Sequence, residues 1–238
     1  MVRYFPSTRE SVASEPTALR IRGVVFDMDG TLATPMKEHL LQMRVELKVP
    51  AGMGTLEYVD TCLTGKEHEL AHKRLIEIEN DALRNMQITN GLIPLLQFLH
   101  KHSIPMAIIT RNNKAAVDHF LNNVAAGLPK EERILFKFDP ALDRSFKPPK
   151  PAPDGILHIS KLWNIPPEQL MMVGDHGDDL LCGLRAGSVA TLLRYYDNTE
   201  FERISHIVVD RLDRLAEKLA TGFDADMTIN GEKCTGYQ

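Results

Sequence analysis

The chain has 238 residues, 43% of them apolar and 25% charged, with 28 basic against 32 acidic side chains and a formal net charge of −4. This length suits one large domain, or one domain carrying an insert, and it buries a core without disulfide or metal staples. The acidic balance argues against nucleic acid or an anionic membrane as partner, and no apolar run reaches the roughly 18 residues of a bilayer span. Cys62, Cys182 and Cys234 are scattered and odd in number, which suggests neither a disulfide framework nor a zinc site.

Residues 1–20 read as a polar leader, with Pro6 and Pro16 breaking any helix. Glu10 and Glu15 offset Arg3, Arg9 and Arg20, and the segment has no apolar centre. A secretory signal is therefore not expected, organelle targeting is left open, and a cytoplasmic location is the simple expectation. Ile21 and Val24 to Phe26 then form a short β-branched and aromatic run that ends in Asp27 and predicts a buried strand. From about 33 to 88 this pattern is interrupted. The stretch is rich in Leu, Glu, Lys, Met and Ala, with Leu75, Ile78, Ala82 and Met86 at spacings of three and four, and it predicts a small helical subdomain punctuated by Gly52 and Gly54.

After Asn90-Gly91, Leu92, Leu95, Leu96 and Leu99 predict a helix. Strands follow at 106–109, 170–173, 189–193 and 207–209. Helices are expected at 115–121, 153–163, 178–185 and 212–219, and the tail 221–238 is polar and expected to be disordered. Near-continuous apolar strands alternating with helices predict an α/β fold: a Rossmann-like, doubly wound parallel sheet formed by 21–32 and 89–220, with the helical insert at 33–88. In such sheets ligands bind beyond the carboxyl ends of the strands, so the polar residues found there are the candidates for chemistry.

Four groups stand out. Asp27-Met28-Asp29-Gly30-Thr31-Leu32 places two carboxylates two residues apart just past a strand; they repel, call for a cation, and as hard oxygen ligands favour magnesium. Thr110-Arg111-Asn112 offers a hydroxyl and helix-terminal amides to a phosphate, although Thr110 taken alone reads more simply as a helix N-cap. In 147–154 the prolines stiffen a loop carrying Lys147 and Lys150, where a fixed ammonium neutralises carboxylates and phosphate together; solvated surface lysines are the alternative. Gly174-Asp175-His176-Gly177-Asp178-Asp179 brings three acids to a glycine-flanked turn and suggests a metal site, with Asp178 or Asp179 as a simple N-cap in the plainer reading. All four are expected to end strands and to converge on one crevice.

The sequences DMDGTL, IITR, KPAPD and VGDHGDDLLCGLRAG stand in an order that resembles the haloacid dehalogenase superfamily, over residues 21 to 210. That resemblance implies a magnesium-dependent phosphatase acting on a small phosphorylated metabolite. It makes Asp27 the nucleophile, and Asp29 the general acid and then base, whose main-chain carbonyl also binds the metal. Thr110 and Lys150 bind the transferring phosphoryl group, Asp175 is a direct magnesium ligand, and Asp179 supports the metal. The insert 33–88 becomes a helical cap that selects the leaving group. Asp178 receives no role, and Lys147 is disfavoured against Lys150 because it lacks the Pro-x-Pro-Asp context.

Thr34 stands where the family commonly has an acid, which leaves the hinge into the insert open. Arg111 and Asn112 are candidate substrate contacts; Arg111 reads equally as a solvated arginine, and His176, beside the metal site, joins them. His39, His68 and His72 in the insert are read as ordinary helix-surface residues. Alternative readings are a sugar phosphomutase on the same core, or a non-catalytic binding protein that has inherited it. Dehalogenation is disfavoured by the acids at 29, 175 and 179. No oligomeric state is implied.

Overall fold

The computed structural model describes residues 1–7, 19–35 and 37–228. The chain divides into two compact units, Met1–Ala33 with Ile88–Gln238, and Thr34–Gln87. The larger unit is built on six strands: β2 (Gly23–Phe26), β3 (Met106–Ile109), β4 (Phe138–Leu142), β5 (Leu170–Gly174), β6 (Val189–Leu193) and β7 (Ile207–Val209). They are parallel, in the order β4-β3-β2-β5-β6-β7. Every residue of β2, β3, β5 and β6 is buried, which is why these strands read as unbroken apolar runs: both faces of the sheet are covered.

Alternate residues serve opposite faces. Val25 and Met172 pack with Ile156 and Ile159 of α7 (Asp154–Trp163) and Cys182 and Ala186 of α8 (Gly177–Ala186). Phe26 meets Phe138 edge to face at 6.1 Å. Helix α4 (Leu92–Lys101) packs on α9 (Leu212–Thr221), burying Leu92, Leu95, Leu96 and Leu99 from the first and Leu212, Leu215 and Leu219 from the second. Between β3 and β4 lie α5 (Lys114–Asp118), a π-helical turn over His119–Val124 and α6 (Lys130–Arg133).

The smaller unit contains α1 (Lys37–Glu46), α2 (Thr55–Cys62) and α3 (Gly65–Arg84). Its core is Met43, Val59, Ala71, Leu75 and Ile78. The apolar stripe expected through this segment is present on α3 as Ala71, Leu75, Ile78 and Ala82; Met86 is buried just beyond the helix end.

Three strands go beyond the sequence reading, and one of them corrects the expectation of a disordered tail. The polar leader 1–20 begins with an ordered strand, β1 (Val2–Tyr4), and the polar tail 221–238 contains β8 (Phe223–Ala225); the two pair antiparallel. Tyr4 is fully buried, stacks on Phe223 at 4.9 Å and donates its hydroxyl hydrogen to the Glu168 carbonyl at 2.9 Å. The apolar contacts of three-residue strands are few, so this aromatic pair supplies most of what holds the ribbon. Residues 8–18 of the leader and 229–238 of the tail lie outside the described residues. Strand β4 is the third departure: Asp139 and Pro140 argue against a strand, but β4 is the edge of the sheet, where a missing N–H is tolerated.

Tyr4→Phe removes one hydrogen bond to a backbone carbonyl and is expected to cost about 1 kcal/mol, whereas Tyr4→Ala opens a cavity and is expected to cost about 3–5 kcal/mol. Urea denaturation of the two variants against the parent chain checks the difference.

Candidate active site

The sheet places its reactive groups through one topological fact. β2 is central, with β3 on one side and β5 on the other, and the chain crosses between those sides after β4. The switch opens a crevice beyond the carboxyl ends of β2, β3 and β5. Asp27 follows β2, Thr110 follows β3 and Asp175 follows β5. Lys150 differs from the expectation that all four groups end strands. Seven residues separate it from the end of β4, and it arrives on the proline-bounded loop that leads into α7.

The side chains of Asp27, Asp175 and Asp179 bring carboxylate oxygens within 4.8 Å of one another. Lys150, 5% exposed, lies between two of them: its ammonium donates to Asp27 Oδ1 and pairs with Asp179 Oδ1 at 2.6 Å. Asp179 is also tied to its own turn, since its Oδ2 accepts the His176 N–H at 3.1 Å. Asp29 Oδ2 accepts a hydrogen bond from the Asn112 side-chain amide, while Asp29 Oδ1 is buried and meets no donor.

Two glycines make the close approach possible. Gly30 has φ +79°, and a Cβ there would fall 2.2 Å from Asp175 Oδ2. At Gly174 a Cβ would meet the Asp179 side chain at 2.3 Å. A side chain at either position would displace a carboxylate of the cluster, so glycine is dictated by the neighbouring acid as well as by the backbone.

Burial is the largest influence on Asp27 and raises its pKa well above the ordinary carboxylate value; Lys150 opposes this, and Asp179 and Asp29 add to it. Asp29 is raised by burial against the opposing pull of Asn112 and Lys150. Burial alone would depress the Lys150 ammonium, but Asp179 and Asp27 more than offset it and hold its pKa above the ordinary lysine value. Four carboxylates thus face one ammonium in a poorly hydrated crevice, a balance that favours a further cation. The donor set of Asp27, Asp175 and Asp179 is all oxygen, which fits a hard divalent ion. Beneath the loop, the buried Cys182 thiol donates to the Ala152 carbonyl at 3.1 Å, and burial pushes its pKa up to about 12.

The remaining candidates fall into two groups. Thr110 is buried with its hydroxyl accepting the Asn112 N–H at 3.1 Å; the N-cap of α5 is Asn113, so the capping alternative for Thr110 does not apply. Asn112, read as a substrate contact, holds Asp29 through its side-chain amide. Arg111 is exposed but not free: it pairs with Asp178 Oδ2 at 2.6 Å and donates to the Lys150 carbonyl. This gives Asp178, which had no role, the task of tying the turn after β5 to the loop after β3. His176, rather than Asp178 or Asp179, is the N-cap of α8, its Nδ1 accepting the Asp178 N–H at 3.3 Å. Lys147 is exposed and lies outside the cluster.

Two supports were not anticipated. The Tyr195 hydroxyl donates to the Gly30 carbonyl at 3.0 Å, and the Asn198 amide donates to the Asp175 and Leu193 carbonyls at 2.8 and 3.0 Å. Both follow β6, and the rule that led to the other strand ends would have led there too.

Residues 21–187 match the family model of haloacid dehalogenase-like hydrolases. The chain belongs to this family. A haloacid dehalogenase-like hydrolase domain-containing protein of Arabidopsis thaliana is 34% identical over 239 residues, covering 92% of this chain and 93% of that protein. Hexitol phosphatase A of Escherichia coli is 28% identical, with 71% and 81% covered. Among solved structures, a predicted phosphoglycolate phosphatase from Haemophilus somnus has the same fold, with a TM-score of 0.66 at 18% identity over 83% of this chain and 97% of that one. The membership agrees with the sheet order and the strand-end acids of the haloacid dehalogenase-like core. Among the described residues, no helix is long and apolar enough to cross a membrane.

Because Asp29 has a raised folded pKa, its contribution to stability is fully present below the unfolded carboxylate value and is lost as pH rises through the folded one. In chelator, Asp29→Asn should therefore become progressively more stable relative to the parent chain as pH is raised above the ordinary carboxylate value of about 4. Thermal melting of both proteins across that range is the check; a constant difference would show that Asp29 carries no such strain.

Proposed function

We propose that this chain is a magnesium-dependent phosphatase that hydrolyses small phosphate monoesters through an aspartyl-phosphate on Asp27. The observation that carries the reading is the ammonium of Lys150 lodged between Asp27 and Asp179, with Asp175 completing a set of three clustered carboxylates. The names of the phosphatases among its relatives support the same class.

In this reading Asp27, Asp175 and Asp179, with the main-chain carbonyl of Asp29, hold the magnesium. When bound, the ion neutralises the phosphoryl oxygens and the carboxylates around them. The chain's own residues do the rest. Asp27 acts as nucleophile and must be ionised to do so; Lys150 favours that form against the effect of burial. As the Asp27 oxygen bonds to phosphorus, the bond to the leaving oxygen breaks, and Asp29 gives that oxygen its proton. The raised pKa of Asp29 keeps the proton available, and Asn112 keeps the carboxyl aimed. The Asp29 carboxylate then takes a proton from water, whose oxygen displaces Asp27 and releases inorganic phosphate. Thr110 and Lys150 hold the phosphoryl oxygens throughout. Covalent capture divides one very slow hydrolysis into two faster displacements.

Asp27→Asn is expected to abolish magnesium-dependent phosphate release and the acid-stable labelling of the protein by a phosphorylated substrate. Asp29→Ala is expected to lower turnover of an alkyl phosphate by about 10²–10⁴-fold; with an aryl phosphate, whose leaving oxygen needs no proton, transfer to Asp27 should be spared while release by water is slowed, so the phosphorylated protein should accumulate. Steady-state assays on both substrates, with and without magnesium, test the roles separately. Full turnover in Asp27→Asn would overturn the proposal.

A further inference from the structure

The insert carries a second cluster with different chemistry. His68 and His72 occupy successive turns of α3, and Asp60 faces them from α2. Nε2 of His72 lies 3.0 Å from Asp60 Oδ1, and Nε2 of His68 lies 3.8 Å from the same oxygen. The two rings are 4.4 Å apart at 63°. One ligand atom from each of the three residues lies within 4.8 Å of the other two. A carboxylate against a single imidazole is a common surface pair. Two imidazoles at i and i+4, each with Nε2 close to one carboxylate oxygen, form a set able to chelate a metal once it displaces the Nε2 protons, because the helix repeat puts both rings on one face.

We propose that Asp60, His68 and His72 form a zinc site that joins α2 to α3. Two neutral imidazoles and a carboxylate match the three-ligand set of open zinc sites, and nitrogen donors of this kind select borderline transition ions over magnesium. Zinc–ligand bonds of about 2.0–2.2 Å set neighbouring donor atoms somewhat more than 3 Å apart. A shift of about 1 Å in partly exposed side chains brings the three atoms to that spacing. The side chains are 37% (His68), 40% (His72) and 57% (Asp60) exposed, so solvent reaches the fourth position. Both imidazoles also line a shallow trough of about 620 Å³ along α3, with Glu69, Lys73, Ile76 and Glu77. Helices α2 and α3 are joined only by Leu63 and Thr64, and a metal bridge across that turn would fasten the end of α2 to the first two turns of α3.

The site is distinguishable from the Asp27 cluster by its donors. Zinc titrated calorimetrically into the full chain in excess magnesium should give one equivalent of binding. That binding should survive Asp175→Asn and weaken by at least about 10–100-fold in the His68→Ala/His72→Ala double variant, since even outer-shell changes cost that much. In the parent chain, zinc should shift the imidazole Nε2 resonances of His68 and His72, a readout that needs no variant. Equal binding by parent and double variant, or unmoved Nε2 resonances at saturating zinc, would overturn the proposal.

Discussion

The larger unit depends on one unfavourable circumstance: too much negative charge at the ends of neighbouring buried strands. Asp27, Asp29, Asp175 and Asp179 are gathered where water is scarce, and one ammonium faces them. Like charges held this close are stable only when something positive is held with equal rigidity. Lys150 is that element. Its loop cannot relax into a helix, because Pro148, Pro149, Pro151 and Pro153 forbid it. The loop is also fastened from outside: Arg111 donates to the Lys150 carbonyl and Arg185 to that of Pro151. Removing the ammonium would leave buried carboxylates uncompensated, a larger loss than the pair itself is worth.

The rest of the larger unit serves to keep that arrangement in place. Strand ends are good mounts because the ladder fixes them on both sides, and β2 is paired along its length with β3 and β5. The turns that leave the strands are then cross-braced by polar contacts that carry no reactive group of their own. Asn112 holds Asp29, Asp178 holds Arg111, and Tyr195 and Asn198 reach over from beyond β6 to the backbone carbonyls of Gly30 and Asp175. Aiming a carboxyl within a few tenths of an ångström takes this second layer as much as the first.

Most of the sheet and the principal site residues were legible because they leave local marks. A strand buried on both faces is an unbroken apolar run, and a run that stops abruptly at Asp or Thr marks its own carboxyl end. What escaped has no local mark. β1 and β8 are three residues each and exist only because the chain pairs across more than 200 positions. β4 contains Asp139 and Pro140, tolerable only at a sheet edge, and edge position is a property of the whole topology. The pairing of Arg111 with Asp178 and of Asn112 with Asp29 depends on how three turns interlock. His68 and His72 looked like surface residues because exposure is visible in a helix pattern, while the approach of Asp60 from another helix is not.

The buried thiol behind the lysine loop has a consequence for reactivity. Burial disfavours a Cys182 thiolate, Asp179 and Asp154 add to this against the pull of Lys150, and the sulfur hydrogen is committed to the Ala152 carbonyl. Alkylating agents and peroxide attack thiolates, so this cysteine is chemically quiet although it sits within the core that backs the acid cluster. Cys62, by contrast, is exposed at the end of α2. Of these two described cysteines, it is the one that a fluorophore or a spin label would reach, with the core thiol left unmodified.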